Sequence, residues 1–257
     1  MTDPRTVAII QARMTSSRLP GKVMHDIGGE PMLARVVERV RRARTVHTVC
    51  VATTEHPVDD PVVALCAERG YPLWRGSEFD VLDRYYRAAQ QFAADVIVRV
   101  TADCPVIDPD VIDQTVHAFF ESGVDFAANR LPPPWKRTWP IGLDTEVVWF
   151  TALERAWREA SEKYQREHVM PYFYDQEGRF KIMVLDTDPD YGSLRWTVDT
   201  PADLELIRRV YTHFDNRADF SWKDVLALFQ REPDLAVINA GVRHKLGKEV
   251  DERVNFT

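Results

Sequence analysis

Residues 11–22 hold three cations and three hydroxyl groups directly after a short apolar, β-branched run, Val7–Ile10. The cations are Arg13, Arg18 and Lys22. Three positive charges on one turn repel one another unless an anion lies between them, and guanidinium groups match phosphate oxygens. A solvated basic loop is the alternative, but a loop that follows a buried strand favours phosphate binding. The pattern therefore predicts a triphosphate site, although neither a Walker A sequence nor a GxGxxG sequence is present.

Two aspartates lie at comparable points further along the chain. Asp103 follows the apolar strand expected at Val96–Val100, and Asp199 is expected to end another short apolar strand and to precede a helix. Alone, each is more often a turn former or a helix cap. Together they suit Mg²⁺, which takes one or two protein carboxylates plus substrate phosphates. Because ligands bind at the carboxyl ends of parallel strands, we expect both aspartates beside the basic loop, as a joint metal and triphosphate site.

The elements that must position these residues alternate along the first half of the chain. Apolar spacing predicts strands at 7–10, 48–52, 71–74, 96–100 and 124–128, and helices at 32–40, 60–69, 81–92 and 109–120, with Pro31 in the first helical turn. Strands that alternate with helices of this length predict an α/β fold. We expect a mostly parallel nucleotide-binding sheet with helices on both faces, of the Rossmann-like or GT-A-like type.

The alternation breaks at Arg130, where the stretch LPPPWKRTWPIG contains four of the sixteen prolines. We expect strands at 143–150 and 180–185, and helices at 152–161, 164–174 with a break at Pro171, 201–210 and 220–229. Asp199 or Thr200 is the expected cap of the helix that begins at Pro201. A charged tail without evident chemistry follows. The chain therefore reads as a single domain, 1–257, with an excursion at about 130–190.

Composition excludes several classes of protein. The formal net charge of -7 has the wrong sign for a protein that binds nucleic acid through its phosphates. Three cysteines without CxxC spacing indicate thiols that are buried or have no particular role, in a reducing compartment. The N-terminus does not resemble an export signal, and no apolar run approaches the roughly 18 residues of a membrane span. We expect a cytoplasmic protein, so the sequon at Asn255 carries no glycan.

Longer blocks of sequence are specific enough to indicate a family. In order over about residues 7–212 they are IIQARMTSSRLPGKVM, GGEPML, VATT, DDP, WRGSEFDVLDRYYRAA, IVRVTADCPVIDP, GLDTEV, REHV and LRWTVDTP. Together they resemble the cytidylyltransferases of the spore-coat polysaccharide type, which are similar to the enzymes that make CMP-activated acylneuraminate and 3-deoxy-manno-octulosonate. The resemblance implies transfer of CMP from CTP to a small acidic acceptor, release of pyrophosphate, and a homodimer formed partly by the excursion.

The resemblance also assigns roles to individual residues. It implies that Arg13, Arg18 and Lys22 hold the triphosphate and that Asp103 and Asp199 hold Mg²⁺, with Arg13, Lys22 and both aspartates catalytic. The expected nucleotide contacts are Gln11, Ala12, Arg13, Ser17, Arg18, Lys22, Arg75, Gly76, Ser77, Asp83 and Arg84. The expected acceptor contacts are Gly142, Asp144, Glu146, Glu167, His168 and Arg195. Ile141 departs from the family, where relatives often carry Asp, and the acceptor stays open between a sugar acid and a phosphate- or phosphonate-bearing molecule.

The expected mechanism is in-line attack of an acceptor oxygen on the α-phosphorus, assisted by the metal. His168 is a candidate general base, although a histidine beside an apolar helical run is more often simply packed. One alternative is a metal-dependent glycosyltransferase that uses the DxD sequence Asp186–Asp188. Another is a nucleotide-binding scaffold without turnover.

Aromatic residues are abundant in the excursion. Trp135, Trp139, Trp149, Tyr172 and Phe173 form more aromatic surface than one sheet is expected to cover. Aromatic side chains are enriched in the cores of interfaces. We therefore expect the excursion to contribute to a homodimer and to border the acceptor pocket; packing on the protomer's own sheet is the alternative.

Overall fold

A computed structural model of the 257-residue chain describes residues 3–132 and 135–243. The strands are β1 (Thr6–Gln11), β2 (Asp26–Ile27), β3 (Glu30–Pro31), β4 (Thr48–Thr54), β5 (Leu73–Gly76), β6 (Val96–Thr101), β7 (Phe126–Ala128), β8 (Glu146–Trp149) and β9 (Ile182–Val184). The central sheet has seven strands in the order β5-β4-β1-β6-β8-β7-β9, and β2 pairs with β3 as a small separate hairpin. Of the charged tail, residues 244–257, which include Asn255, lie outside the described residues.

The central sheet is mostly parallel, as expected. β1 pairs in parallel with β4 and β6, β4 with β5, and β7 with β9. β8 runs antiparallel to both β6 and β7. The reversal places Glu146, at the start of β8, opposite Arg99 near the end of β6. Residues from the excursion are thereby brought to the same sheet edge as the loops after β1 and β6.

Helices cover both faces of the sheet. They are α1 (Met32–Val40), α2 (Asp60–Arg69), α3 (Val81–Gln91), α4 (Pro109–Ser122), α5 (Phe150–Glu159), α6 (Lys163–His168), α7 (Pro171–Tyr174), α8 (Pro201–His213) and α9 (Trp222–Arg231). Successive side chains of β1 alternate between two cores: Ala8 and Ile10 pack with α1, α4 and α8, whereas Val7 and Ile9 pack with α3, α5 and α7. Such double coverage explains why the strands are apolar on both sides. The expected fold class is confirmed.

Several expected elements have different bounds. The strand expected at 143–150 is the shorter β8, because Phe150 already begins α5. Segment 195–198 forms only an isolated bridge, between Arg195 and Ile141, where a strand was expected. Pro31 lies in β3, one residue before α1. Thr200, and not Asp199, caps α8, since its hydroxyl accepts from the Asp203 amide.

The protomer itself covers most of the excursion's aromatic side chains. Trp139, Tyr172 and Phe173 are each under 10% exposed, at 3%, 7% and 1%. Phe173 stacks on Phe126 of β7 with ring centroids 5.2 Å apart, and the Trp139 indole donates to the Leu185 carbonyl at 2.8 Å. For these three rings the expectation that the sheet cannot cover them is wrong, because α7 packs on the sheet and β9 extends it, whereas Trp135 and Trp149 are half-buried. The homodimer and the single-domain boundaries stay predictions.

Two further expectations concern the environment of the chain. Cys50, Cys66 and Cys104 are buried free thiols, as expected. Burial raises the pKa of Cys66 to about 11, which makes that thiol unreactive at neutral pH. None of the helices within residues 3–132 and 135–243 is long and apolar enough to cross a membrane.

Candidate active site

A polar cavity of about 210 Å³ opens where β1 and β6 end, and we call it the phosphate cavity. It is lined by Gln11, Ala12, Arg13, Ser16, Ser17, Arg18, Lys22, Val23, Thr101, Ala102, Asp103 and Asp199. The structure thus brings together the predicted basic loop and both predicted metal carboxylates. Segment 197–198 lies against the Asp103 turn, where the Val198 amide donates to the Asp103 carbonyl at 2.8 Å. That contact explains why two aspartates 96 positions apart in sequence face one cavity.

The basic loop is folded back on itself. Gly21 has a left-handed φ of +68°, and its amide donates to the Met14 carbonyl at 2.8 Å. Lys22 then begins a short 3-10 turn, Lys22–Met24. The Met14 amide donates to the buried Asp59 carboxylate at 2.7 Å, which anchors the other side of the loop. Lys22 is directed into the cavity by backbone that several bonds hold in place.

The centre of the cavity is a cluster of ion pairs. Lys22 Nζ donates to Asp103 Oδ2 at 2.8 Å, to Asp199 Oδ1 at 2.9 Å and to the Val198 carbonyl at 2.9 Å. Arg18 pairs with Asp199 Oδ2 at 2.9 Å. Burial lowers the pKa of Lys22, but the two carboxylates outweigh burial and raise it above its ordinary value. The anions between these cations are therefore the protein's own carboxylates.

Arg195, predicted to contact the acceptor, lies behind Asp199. Its guanidinium donates to Asp199 Oδ2 at 2.8 Å and to Asp203 Oδ1 at 2.9 Å. Asp203 is fully buried and also accepts from the Asn239 amide at 2.8 Å. Burial would raise the pKa of Asp203, but these hydrogen bonds hold it below its ordinary value. Arg195 lies outside the cavity linings and holds the Asp199 carboxylate in position.

A second cavity, of about 160 Å³, adjoins the first, and we call it the acceptor cavity. It is lined by Arg99, Thr101, Asp103, Cys104, Arg130, Ile141, Asp144, Glu146, Thr197 and Asp199. Three of these residues, Thr101, Asp103 and Asp199, line both cavities. Of the predicted acceptor contacts, Asp144 and Glu146 lie in this lining. Both carboxylates proposed for the metal therefore stand between the two cavities.

Arginines balance the carboxylates of the acceptor cavity. Arg99 pairs with Glu146, and its Nη2 also donates to Gln11 Oε1 at 3.1 Å. Arg137 binds Asp144 through both terminal nitrogens, at 2.5 and 3.1 Å. Arg130 Nε lies 3.5 Å from the same carboxylate. None of these three arginines is predicted as a site residue from the sequence, although Arg99 is a charged residue within the apolar run 96–100 and could have been recognised by that signal.

Gly142 has a structural role in the fold, and the acceptor contact expected of it stays a prediction. Its φ of +112° is unfavourable for residues with a side chain, and an added Cβ would lie 2.8 Å from the backbone of Trp196 and Thr197. The absence of a side chain lets segment 141–143 approach 195–197, and the Trp196 amide donates to the Ile141 carbonyl at 2.7 Å. Glu167 and His168 lie half-buried on α6, outside both cavity linings.

The predicted nucleotide contacts between 75 and 84 also lie outside both linings. Two of them are arginines that donate to nearby carbonyl oxygens: Arg75 to Thr54 and Arg84 to Ser77, each at 2.8 Å. Asp83 accepts a hydrogen bond from the Trp157 indole at 2.7 Å. Gly76 is the last residue of β5. Burial lowers the pKa of Arg84 to about 10. Their part in nucleotide binding stays a prediction.

Glu78 connects that segment to the basic loop. Its carboxylate accepts from Thr15 Oγ1 at 3.1 Å and lies 4.0 Å from Arg13. The sequence did not single out Glu78, because its partners lie more than sixty positions earlier in the chain.

The donor set suits a divalent cation bound together with phosphates. Across residues 3–132 and 135–243, no group of three or more His, Cys, Asp and Glu side chains could hold a metal. Asp103 and Asp199 supply two carboxylates, the number that Mg²⁺ commonly takes from a protein when substrate phosphates complete its shell. The Lys22 ammonium between these oxygens shows that they can share a cation.

Comparison with known proteins gives the family. Residues 7–221 match the cytidylyltransferase family. The chain is 33% identical to the spore coat polysaccharide biosynthesis protein SpsF of Bacillus subtilis, over 89% of this chain and 95% of that protein. It is 38% identical to a 3-deoxy-manno-octulosonate cytidylyltransferase of Anaeromyxobacter dehalogenans, over 78% of this chain and 95% of that protein.

A solved structure supports the same assignment. The cytidylyltransferase of Leptospira borgpetersenii superimposes with a TM-score of 0.86 at 31% identity, covering 94% of this chain and 100% of the other. The chain belongs to the cytidylyltransferase family and is a CTP-dependent nucleotidyltransferase.

Proposed function

We propose that this enzyme transfers CMP from CTP to an acidic sugar and releases pyrophosphate. The observation that carries the proposal is the arrangement of two cavities around one pair of carboxylates, Asp103 and Asp199. A nucleotide in the phosphate cavity and an acceptor in the acceptor cavity would meet at these residues. The names of two relatives, a spore coat polysaccharide protein and a 3-deoxy-manno-octulosonate cytidylyltransferase, support a sugar as the acceptor.

On the nucleotide side, the basic loop binds the triphosphate and stabilises the leaving pyrophosphate. Arg13, Arg18 and Lys22 line the phosphate cavity, and their charges oppose the negative charge that accumulates on the leaving group. Guanidinium groups offer paired donors to phosphate oxygens, whereas the lysine acts as a compact charge. These residues therefore contribute more to the transition state than to the bound substrate.

Asp103 and Asp199 would hold Mg²⁺, which in this chemistry neutralises phosphate charge and lowers the pKa of a bound hydroxyl group. Arg195 and Asp203 keep Asp199 in place from behind. Thr101 Oγ1 donates to Asp103 Oδ1 at 2.6 Å and orients the other carboxylate. His168 lies on α6 outside the acceptor cavity lining, so we assign it no part in proton transfer.

On the acceptor side, Arg130 is the proposed partner for the acid group of the sugar. Asp144, its neighbour, already receives both terminal nitrogens of Arg137, so the 3.5 Å contact of Arg130 is the weaker pairing. Arg130 would therefore give up only a weak ion pair with Asp144 when it binds an acceptor carboxylate. Glu146, paired with Arg99, supplies oxygens that accept from sugar hydroxyls.

Pyrophosphate release from CTP tests the function. The purified enzyme with Mg²⁺ is assayed against a panel of 2-keto sugar acids, neutral sugars, sugar phosphates and phosphonates. Release that depends on a sugar acid supports the proposal, whereas release with only a phosphate or phosphonate would replace the proposed acceptor class. Cleavage of a nucleotide-sugar without pyrophosphate would support a glycosyltransferase, and CTP binding without turnover a scaffold.

The structure offers little support for the glycosyltransferase. Asp186 and Asp188 of the DxD sequence are exposed and lie outside both cavity linings. Asp186 accepts a hydrogen bond from Thr138 Oγ1 at 3.1 Å, which accounts for its position at the turn after β9.

A matched pair of variants tests the acceptor side. Arg130→Met should raise the KM for the acceptor by about tenfold or more, the loss expected for one charge-assisted contact, with the KM for CTP unchanged. Lys136→Met is the control, because Lys136 lies in the same segment, is exposed and pairs with Asp190 at 2.6 Å. Equal effects of the two variants, or an effect of Arg130→Met on CTP alone, would contradict the assignment.

A further inference from the structure

The cation that lies between Asp103 and Asp199 in this structure belongs to the protein. An ammonium group has three donors, and those of Lys22 have three acceptors: Asp103 Oδ2, Asp199 Oδ1 and the Val198 carbonyl, at 2.8, 2.9 and 2.9 Å. The side chain is 11% exposed. Lys22 thus occupies the position between the two carboxylates that are proposed to hold the divalent cation.

The charges around Asp199 are already balanced. Three carboxylates, Asp103, Asp199 and Asp203, face three cations, Lys22, Arg18 and Arg195. A divalent cation added to this cluster would leave two uncompensated positive charges in a partly buried place, which is strongly unfavourable. The carboxylates can accept a divalent cation only if one of the existing cations leaves.

Of the three cations, Lys22 is the one that must leave, because it contacts both Asp103 and Asp199, whereas Arg18 contacts Asp199 Oδ2 and lies to one side of the pair. Arg195 is tied to the buried Asp203 as well as to Asp199, so it has a second anchor that does not move. Lys22 lies in the loop that lines the phosphate cavity, where triphosphate oxygens would be alternative acceptors for its ammonium group. The bond from the Gly21 amide to the Met14 carbonyl holds the backbone, so we expect the Lys22 side chain to move while the loop stays in place.

We propose that Lys22 is the resident counter-cation of Asp103 and Asp199 in the nucleotide-free enzyme, and that divalent metal binds there only when a triphosphate draws Lys22 away. Nucleotide and metal binding are then coupled through one side chain, and each strengthens the other by the same factor. The nucleotide-free enzyme is thereby kept from holding metal without a substrate. This inference rests on the proposed metal role of the two aspartates and adds an order of binding to it.

Binding of Mn²⁺ to the nucleotide-free protein tests the inference without turnover. The electron paramagnetic resonance signal of free Mn²⁺ is measured as protein is added. Lys22→Met should bind Mn²⁺ at least about tenfold more tightly than wild type. Arg13→Met is the matched control, because it removes the same charge from the same loop, where Arg13 lies 4.0 Å from Glu78. The control should change the affinity less than about threefold.

Further variants identify the site and guard against misfolding. Adding Asp103→Asn to Lys22→Met should abolish the gain, which places the bound Mn²⁺ at the carboxylates. Lys22→Gln repeats the measurement with a polar side chain, and circular dichroism checks that each variant is folded. The single variant Asp103→Asn, in which Lys22 is unchanged, should have the same Mn²⁺ affinity as wild type when no nucleotide is present. This measurement does not need a Lys22 variant.

Three results would overturn the inference: no tightening in either Lys22 variant, equal tightening in Arg13→Met, or tight Mn²⁺ binding by wild type that Asp103→Asn removes. The Mn²⁺ affinity tests the cation exchange, whereas pyrophosphate release tests the proposed function, so failure of one can be told apart from failure of the other. Tighter Mn²⁺ binding without any pyrophosphate release would support the cation exchange and reject the acceptor or the chemistry.

Discussion

Replacing Asp199 by Asn should destabilise the folded protein as well as stop turnover. The side chain is 14% exposed and pairs with three cations: Lys22 at 2.9 Å, Arg18 at 2.9 Å and Arg195 at 2.8 Å. An amide carries no charge and has a single acceptor oxygen, so it cannot serve all three. The pairs that Asp199 now makes would become a group of cations that lack their shared counter-charge.

The loss of folding free energy in Asp199→Asn follows from the burial of the Asp199 side chain and from the number of its ion-pair partners. Removing one partner of a buried ion pair costs about 3–5 kcal/mol, because the remaining charge is left uncompensated. Arg195 keeps Asp203 and Lys22 keeps Asp103, so we expect the lower end, about 3 kcal/mol. In a domain of this size each kcal/mol lowers Tm by about 2–4 °C, which gives a fall of about 6–12 °C.

Asp103→Asn is the matched control for this prediction. Asp103 is 24% exposed, and Lys22 at 2.8 Å is the cation that the structure pairs with it. The amide oxygen can still accept that hydrogen bond, and Lys22 retains Asp199. We expect a loss of about 1 kcal/mol, or about 2–4 °C in Tm. Both variants should lose turnover, because each removes a carboxylate from the proposed metal site.

Urea unfolding at neutral pH measures the stability difference, and pyrophosphate release from CTP measures turnover. An equal loss of stability in the two variants, or an Asp199→Asn variant as stable as wild type, would show that the ion pairs of Asp199 do not stabilise the fold as proposed. Wild-type kcat at limiting Mg²⁺ in either variant would instead show that the metal lies elsewhere.

Three further predictions concern stability and assembly. Gly142→Ala should cost more than about 2 kcal/mol in urea unfolding because its Cβ would lie 2.8 Å from the backbone of Trp196 and Thr197, whereas Gly123→Ala, with open space around its Cβ, should cost about 1 kcal/mol. The pKa of Asp203 is lowered in the folded state, so its stabilisation is present above the ordinary aspartate value of about 3.9 and is lost as pH falls through the folded value. The stability difference between wild type and Asp203→Asn should therefore narrow below about pH 4 in unfolding measured across pH. Light scattering at micromolar concentration should give about twice the chain mass of 29.6 kDa, and a fully active monomer would contradict the homodimer.

Local patterns in the sequence predicted the fold and much of the phosphate cavity. The apolar runs that became β1, β4 and β6 are buried on both faces, so they are continuous in sequence and easily recognised. The basic loop and Asp103 follow such strands directly, and their position at the sheet edge results from strand direction alone.

The acceptor cavity was harder to predict because its residues meet through long-range pairing. Arg99 gains its partner Glu146 only because β8 reverses direction beside β6, and no local pattern specifies that reversal. Gly142 and Arg195 were assigned to the acceptor because they lie in recognisable blocks. In the structure Gly142 lies in close contact with the backbone of Trp196 and Thr197, and Arg195 pairs with the buried Asp203. Both contacts depend on the packing of 141–143 against 195–197.

The sequence by itself determined the class of fold and the family, and it supplied the candidate side chains for binding a triphosphate and a metal, since these depend on residue types and local order. Only the tertiary structure decided which charged side chains form ion pairs with one another. Lys22 pairs with two aspartates that lie 81 and 177 positions away, at 2.8 and 2.9 Å. The energy of an ion pair depends on distance and burial, and both are properties of the folded chain that residue identity leaves open.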